Sequence, residues 1–193
     1  MKMKTICSVA ALILAAGLLA LPAHSQETAK KDAAPKAAAS PSQAVLEAWN
    51  DIGRKLIAMA EDFPEDKYDF KPMPVEQGFA QRMLHVANVT YFFTNLANGQ
   101  KPPAEEDPSR AQYKTKADVA AFVRKAVADG AAAIKARGDK GMSELVTDPD
   151  ANQQVRLGDL AYGLIEHSGE IYGQLAVYYR VAGLVPPESR PKK

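Results

Sequence analysis

The side chains best able to hold a metal or carry a proton in this chain are its histidines, three in all, and two of them stand inside helical patterns: His85 in FAQRMLHVAN and His167 in LGDLAYGLIEHSGEIYGQLAVYY. A single imidazole on an apolar stripe is as a rule a core residue whose ring nitrogens are satisfied by neighbours. Two, on the inward faces of different helices, match the way metal sites are built inside helical bundles. Zinc or nickel would accept both, but a working site wants a third protein ligand. Glu170 is the candidate, since three residues after His167 it lies within about 60° of it around a helix axis. Asp159 and Glu166 are poorer placed. The bland alternative for Glu170 is a solvated flank position paired with a Lys or Arg.

The N-terminus settles what other chemistry is available. Met1–Lys4 is short and basic, Thr5–Leu21 is apolar, and Ala23-His24-Ser25 puts small residues at the −3 and −1 positions of a cleavage site. This predicts a signal peptide over residues 1–25, cut near Ser25–Gln26, and a periplasmic or secreted protein. The alternative is a retained anchor; after cleavage no stable membrane span is expected. Cys7, the only cysteine, falls inside the signal. A cysteine nucleophile, a cysteine-ligated zinc and an iron–sulfur cluster are therefore excluded from the mature chain. His24 leaves with the signal, so His85 and His167 are the only mature imidazoles. Without Lys2 and Lys4 the chain carries 22 basic and 23 acidic residues, which gives no field for nucleic acid.

Residues 26–41, QETAKKDAAPKAAASP, hold little that is large and apolar and read as a flexible linker. The remainder, residues 42–189 with a short tail at 190–193, is one domain's worth of chain. Ser42 is the expected N-cap of a first helix whose stripe is Val45, Trp49, Ile52, Leu56, Met59 and Phe63. Tyr68 and Phe70 are expected to pin the loop 65–78. A second helix is predicted over 76–97, with a seam of Phe79, Arg82, His85, Val89, Phe92 and Leu96, ending at Gly99. A third starts at Thr115 or Lys116, with Asp118 in its first turn and many alanines, after the polar proline-rich loop Lys101–Arg110. A loop follows over 138–154. The fourth helix is predicted from Gln153 to a stop at Gly183, its stripe Leu157, Leu160, Leu164, His167, Ile171, Gln174 and Tyr178. Gly169 and Gly173 inside it imply a close neighbour, because each costs about 1 kcal/mol against alanine. Four long helical patterns with no convincing strand predict an all-α, four-helix bundle.

The segments FPEDKYDFKP, FAQRMLHVAN and HSGEIYGQLAVYYRVAGLVPP, in that order over Gln43–Ser189, resemble the DinB family of small helical bundles. That resemblance implies a three-histidine metal site, one ligand on the second helix and a His-x₃-His pair on the last, and relatives that are metal-dependent thiol transferases and isomerases. His85 and His167 match the first two ligands. The third position is Ile171, which cannot bind metal. The implied protein is an exported DinB-like bundle with a degenerate histidine site, a binding module for a small-molecule ligand or a structural one. Its zinc or nickel affinity would be weakened. Tyr172, Ile171 and Trp49 are assigned to the pocket beside the histidines, Trp49 chiefly as a core anchor. The alternative is a divalent-metal-dependent enzyme, of hydrolase or thiol-transferase type, using His85, His167 and Glu170. The resemblance and the alanine-rich third helix also suggest a homodimer.

Overall fold

The computed structural model describes residues 37–103 and 106–191; the expected signal peptide and most of the expected linker lie outside the described residues. Four helices dominate, α1 (Pro41–Asp62), α2 (Phe79–Ala97), α3 (Lys116–Met142) and α4 (Leu157–Val181). α1 and α2 each pack against both α3 and α4, so α1 lies diagonally across from α2 and α3 from α4. α2 and α4, the two helices that carry the histidines, are therefore neighbours along a shared seam.

Local chemistry fixes most ends. α1 begins two residues earlier than its stripe implies. Ser40, not Ser42, is the N-cap, with Pro41 in the first helical position and a reciprocal capping box to Gln43. Asp139 holds this cap by accepting from Ser40 Oγ and the Ser42 amide at 2.9 and 2.8 Å. The last linker residues thus belong to the domain. So does Arg190 of the expected tail, whose guanidinium pairs with both oxygens of Asp62. Thr115 and Asp118 form a second capping box at α3. α4 stops where Gly183 takes φ +78°, a conformation glycine adopts freely.

α2 starts at Phe79 rather than residue 76. Its first amides are taken by the preceding loop: Phe79 N–H donates to Phe70 O and Ala80 N–H to Tyr68 O, at 3.0 and 2.8 Å. Tyr68 is itself buried, and its hydroxyl donates to Ala60 O at 2.9 Å. Phe63 stacks on Phe79 with centroids 3.9 Å apart. These rings anchor one core cluster. The other gathers Trp49, Phe93, Ile134, Met142 and Leu157. Trp49 donates from Nε1 to Val127 O at 2.9 Å and lies against Gly130, where an added Cβ would sit 1.9 Å from its ring.

Three further expectations need correction. Of the stretch expected to be loop, residues 138–142 continue α3 past a kink at Gly138, and the rest, with the first turn expected of the last helix, forms an antiparallel hairpin: β1 (Leu145–Asp148) pairs with β2 (Gln153–Arg156), Val146 opposite Val155. The Asp148 carboxylate accepts the Asp150 and Ala151 amides at the tip, an Asx turn. Gln174 is exposed rather than on the core stripe. Gly169 and Gly173 have nothing among the described residues within 4 Å of a would-be Cβ, so no close approach among those residues explains them.

Candidate functional site

The two imidazoles meet. His85 Nε2 and His167 Nε2 lie 3.3 Å apart, with ring planes at 76°. Their side chains retain 27% and 41% of their exposure, so they form the floor of an open groove and not a sealed core pair. The groove has a volume of about 450 Å³. From α2 it takes Asn88, Val89 and Phe92 beside His85, and from α4 Leu160 and Leu164 beside His167. Pro102, Pro103 and Asp107 close it from the α2–α3 connection, and Asp148 and Asp150 from the hairpin tip.

The helical rows explain why this groove exists. In α2 the buried row is Met83, Leu84, Ala87, Thr90 and Phe93; in α4 it is Ala161, Ser168, Ile171, Leu175 and Tyr179. The seams expected to face the core, Arg82–His85–Val89–Phe92 and Leu160–Leu164–His167, are only half-buried. All of these but Arg82 line the groove.

Each imidazole is held on its far nitrogen by a carboxylate. Asp107 Oδ2 lies 2.8 Å from His85 Nδ1, and Asp107 Oδ1 accepts from Asn88 Nδ2 at 3.2 Å. Glu170 Oε2 lies 3.4 Å from His167 Nδ1. The Nε2–Nε2 contact is satisfied when one ring donates its proton to the other, or when a metal ion sits between them. Two bonds of 2.0–2.1 Å at a tetrahedral angle place ligand nitrogens about 3.4 Å apart, close to the 3.3 Å found. The pair thus has the bite of a divalent ion.

The remaining donors do not complete such a site. Glu170 stands on the ring nitrogen opposite the one that faces His85, because a residue one turn further along α4 reaches the outer edge of the His167 ring. It is a flanking partner and not the expected third ligand. Ile171 is 1% exposed and packed in the core. Among the described residues no group of three His, Cys, Asp or Glu side chains is arranged to hold a metal. A resident metal coordinated by three protein ligands is not supported by these residues. Tyr172 packs on the core cluster shared with Ile171, and Trp49 lies in the other cluster. None of these three lines the groove, which corrects their assignment to the pocket.

Asp107 was missed by sequence reasoning. It lies in a segment whose charges and prolines read as solvent loop, and its only signal was stiffness: Pro108 after it, which favours extended backbone, and Pro102-Pro103 before. Asn88 and the hairpin aspartates carried no signal at all.

A family model, the DinB superfamily, matches residues 27–175. Several solved structures share the fold, two of them at 14% identity. One is YfiT from Bacillus subtilis, described as "a probable metal-dependent hydrolase with an unusual four-helix bundle topology", at 14% identity and TM-score 0.57, covering 79% of this chain and 94% of that one. The other is a conserved protein from Enterococcus faecalis, at 14% identity and TM-score 0.53, covering 75% and 98%. No curated protein matches.

Proposed function

The chain belongs to the DinB superfamily, and on that premise we propose that it is an exported bundle that binds a small organic molecule in the α2–α4 groove, over a two-imidazole floor that has lost its metal-completing ligand. One observation carries the reading: Ile171 is sealed in the core one turn from His167, while the two Nε2 atoms converge on an open cavity. Apolar walls with a few convergent polar groups at one end are the usual anatomy of a small-molecule site. The export signal supports a periplasmic or secreted location, where the absence of a thiol from the mature chain is an advantage.

The test is metal content together with ligand binding. Protein purified from the periplasm or medium, with Gln26 or a near neighbour as its first residue, is expected to carry far less than one zinc or nickel per chain. Stoichiometric metal that is lost in both His85→Ala and His167→Ala would overturn the proposal. It would favour the second reading, a divalent-metal-dependent hydrolase, for which the 3.3 Å nitrogen spacing is the supporting observation.

A further inference from the structure

We propose that the groove selects an organic cation, a primary amine or guanidinium carried on an apolar body. This deepens the small-ligand reading and rests on it. Among the described residues the carboxylates that line the groove are those of Asp107, Asp148 and Asp150, and no lysine or arginine lines it. Among the described residues none of the three is paired with a Lys or Arg. Asp107 uses its two oxygens on His85 and Asn88. Asp148 uses Oδ1 on the turn amides of Asp150 and Ala151, which leaves Oδ2 free to accept. The Asp150 carboxylate accepts no hydrogen bond among the described residues and stands exposed at the mouth.

The two ends of the groove therefore ask for different things. Val89, Phe92, Leu160 and Leu164 offer a face on which an aliphatic or aromatic body loses water. The hairpin tip offers acceptors and negative charge at the rim of a low-dielectric cavity, where fields are less screened than in bulk water. Among the described residues an anionic ligand would meet three carboxylates and no lysine or arginine, so the groove discriminates by repulsion as well as attraction. A bare divalent ion fits less well. The carboxylates come from separate elements and do not converge with the histidines, and the apolar walls enclose far more volume than an ion fills.

Three probes on one carbon skeleton separate these outcomes: 4-phenylbutylamine, 4-phenylbutanol and 4-phenylbutanoate, titrated calorimetrically into the chelator-treated protein at low ionic strength. The amine is expected to bind at least about tenfold more tightly than the alcohol, and the carboxylate most weakly. The Asp148→Asn/Asp150→Asn double variant is expected to lower amine affinity about tenfold and leave alcohol affinity unchanged, with an unaltered melting temperature. Equal binding of all three probes overturns the cation class but leaves the small-ligand reading standing. So does amine binding indifferent to the double variant. Zinc alone competing with the amine, and lost in the double variant, overturns it in favour of an ion. Binding of none of the three overturns both this inference and the small-ligand reading.

Discussion

Ile171→His restores the side chain that the last helix lacks, and its outcome follows from numbers in the structure. Ile171 is 1% exposed, and helical side chains lean back over the preceding turn, here toward His167 and its partner 3.3 Å away. Without metal the change is costly. Losing a buried isoleucine costs roughly 2–5 kcal/mol when the site is emptied to alanine, less when a ring refills it. A buried ring nitrogen without a partner costs a further 1–3 kcal/mol or so. The metal-free variant should be about 3 kcal/mol less stable than the native protein. Zinc reverses the balance. Structural zinc sites gain about 10–16 kcal/mol over four ligands, so one added imidazole is worth on the order of 3 kcal/mol, or about a hundredfold in affinity. At a zinc concentration about 100 times the variant's Kd, the variant gains about 2.7 kcal/mol and the native protein only about 0.4 kcal/mol. For a domain of this size those gains correspond to melting shifts of roughly 5–10 °C and about 1 °C. Thermal melts with chelator and with graded zinc read both. Equal shifts in the two proteins would refute the reasoning. Large equal shifts would mean that the native groove already supplies a third ligand, and none in either would mean that the imidazoles do not converge.

Further expectations follow from the same structure. Trp49→Ala should cost about 3–5 kcal/mol, read from urea midpoints, since the ring fills the space against Phe93 and its Nε1–H bonds Val127 O; an unchanged midpoint would place it outside the core. Gly130→Ala should cost about 1–3 kcal/mol, because the new Cβ would stand 1.9 Å from that ring, and a neutral result would contradict the packing. Asp107→Ala should free the His85 ring, lowering groove affinity for a ligand that uses the imidazoles by about 10–100-fold and removing the Nδ1–H form of His85 from ¹⁵N spectra; an unmoved spectrum would deny Asp107 its positioning role. Arg190 holds the Asp62 carboxyl below its ordinary range, chiefly by direct hydrogen bonding. Because the folded value is the lower one, the pair stabilises the fold above about pH 4 and loses that contribution as pH falls through the folded value. Asp62→Asn should therefore flatten the acid limb of the stability curve, and an unaltered limb would remove the pair from the account.

Much of the fold is legible because its signals are local. Thr115 with Asp118, Gly99 and Gly183 each declare a helix end within four residues of chain. Ser40 with Gln43 does the same, although Ser42 stands closer to the apolar stripe beginning at Val45. The start of α2 was not legible in this way. Its amides are capped by carbonyls of Tyr68 and Phe70, about ten residues upstream and positioned by a tyrosine packed on α1. The hairpin escaped for a different reason. Each strand is four residues long, and only Val146, Val155 and the Asp148 position are even partly covered. Four residues with so little alternation carry almost no period for a reader to find.

The site shows where periodicity itself misleads. His85 with Val89 and Phe92, and His167 with Leu160 and Leu164, recur at spacings of three and four, and such rows read as core. Period reports which side of a helix is apolar; it does not report what covers that side. A second helix and an apolar ligand leave the same signature. Burial in the fold divides the two cases here, because the rows carrying Met83, Leu84 and Ala87 and Ala161, Ser168 and Leu175 are the ones the bundle seals. Two imidazoles on the half-open rows then need an explanation that packing cannot supply. A core histidine would be satisfied by its surroundings. These two are satisfied only as a pair, with Asp107 brought from a proline-stiffened loop to fix one ring and Glu170 beside the other. Rings so held, at the bottom of a cavity walled by Phe92 and Leu164, face the open groove and not the sealed interior of the bundle.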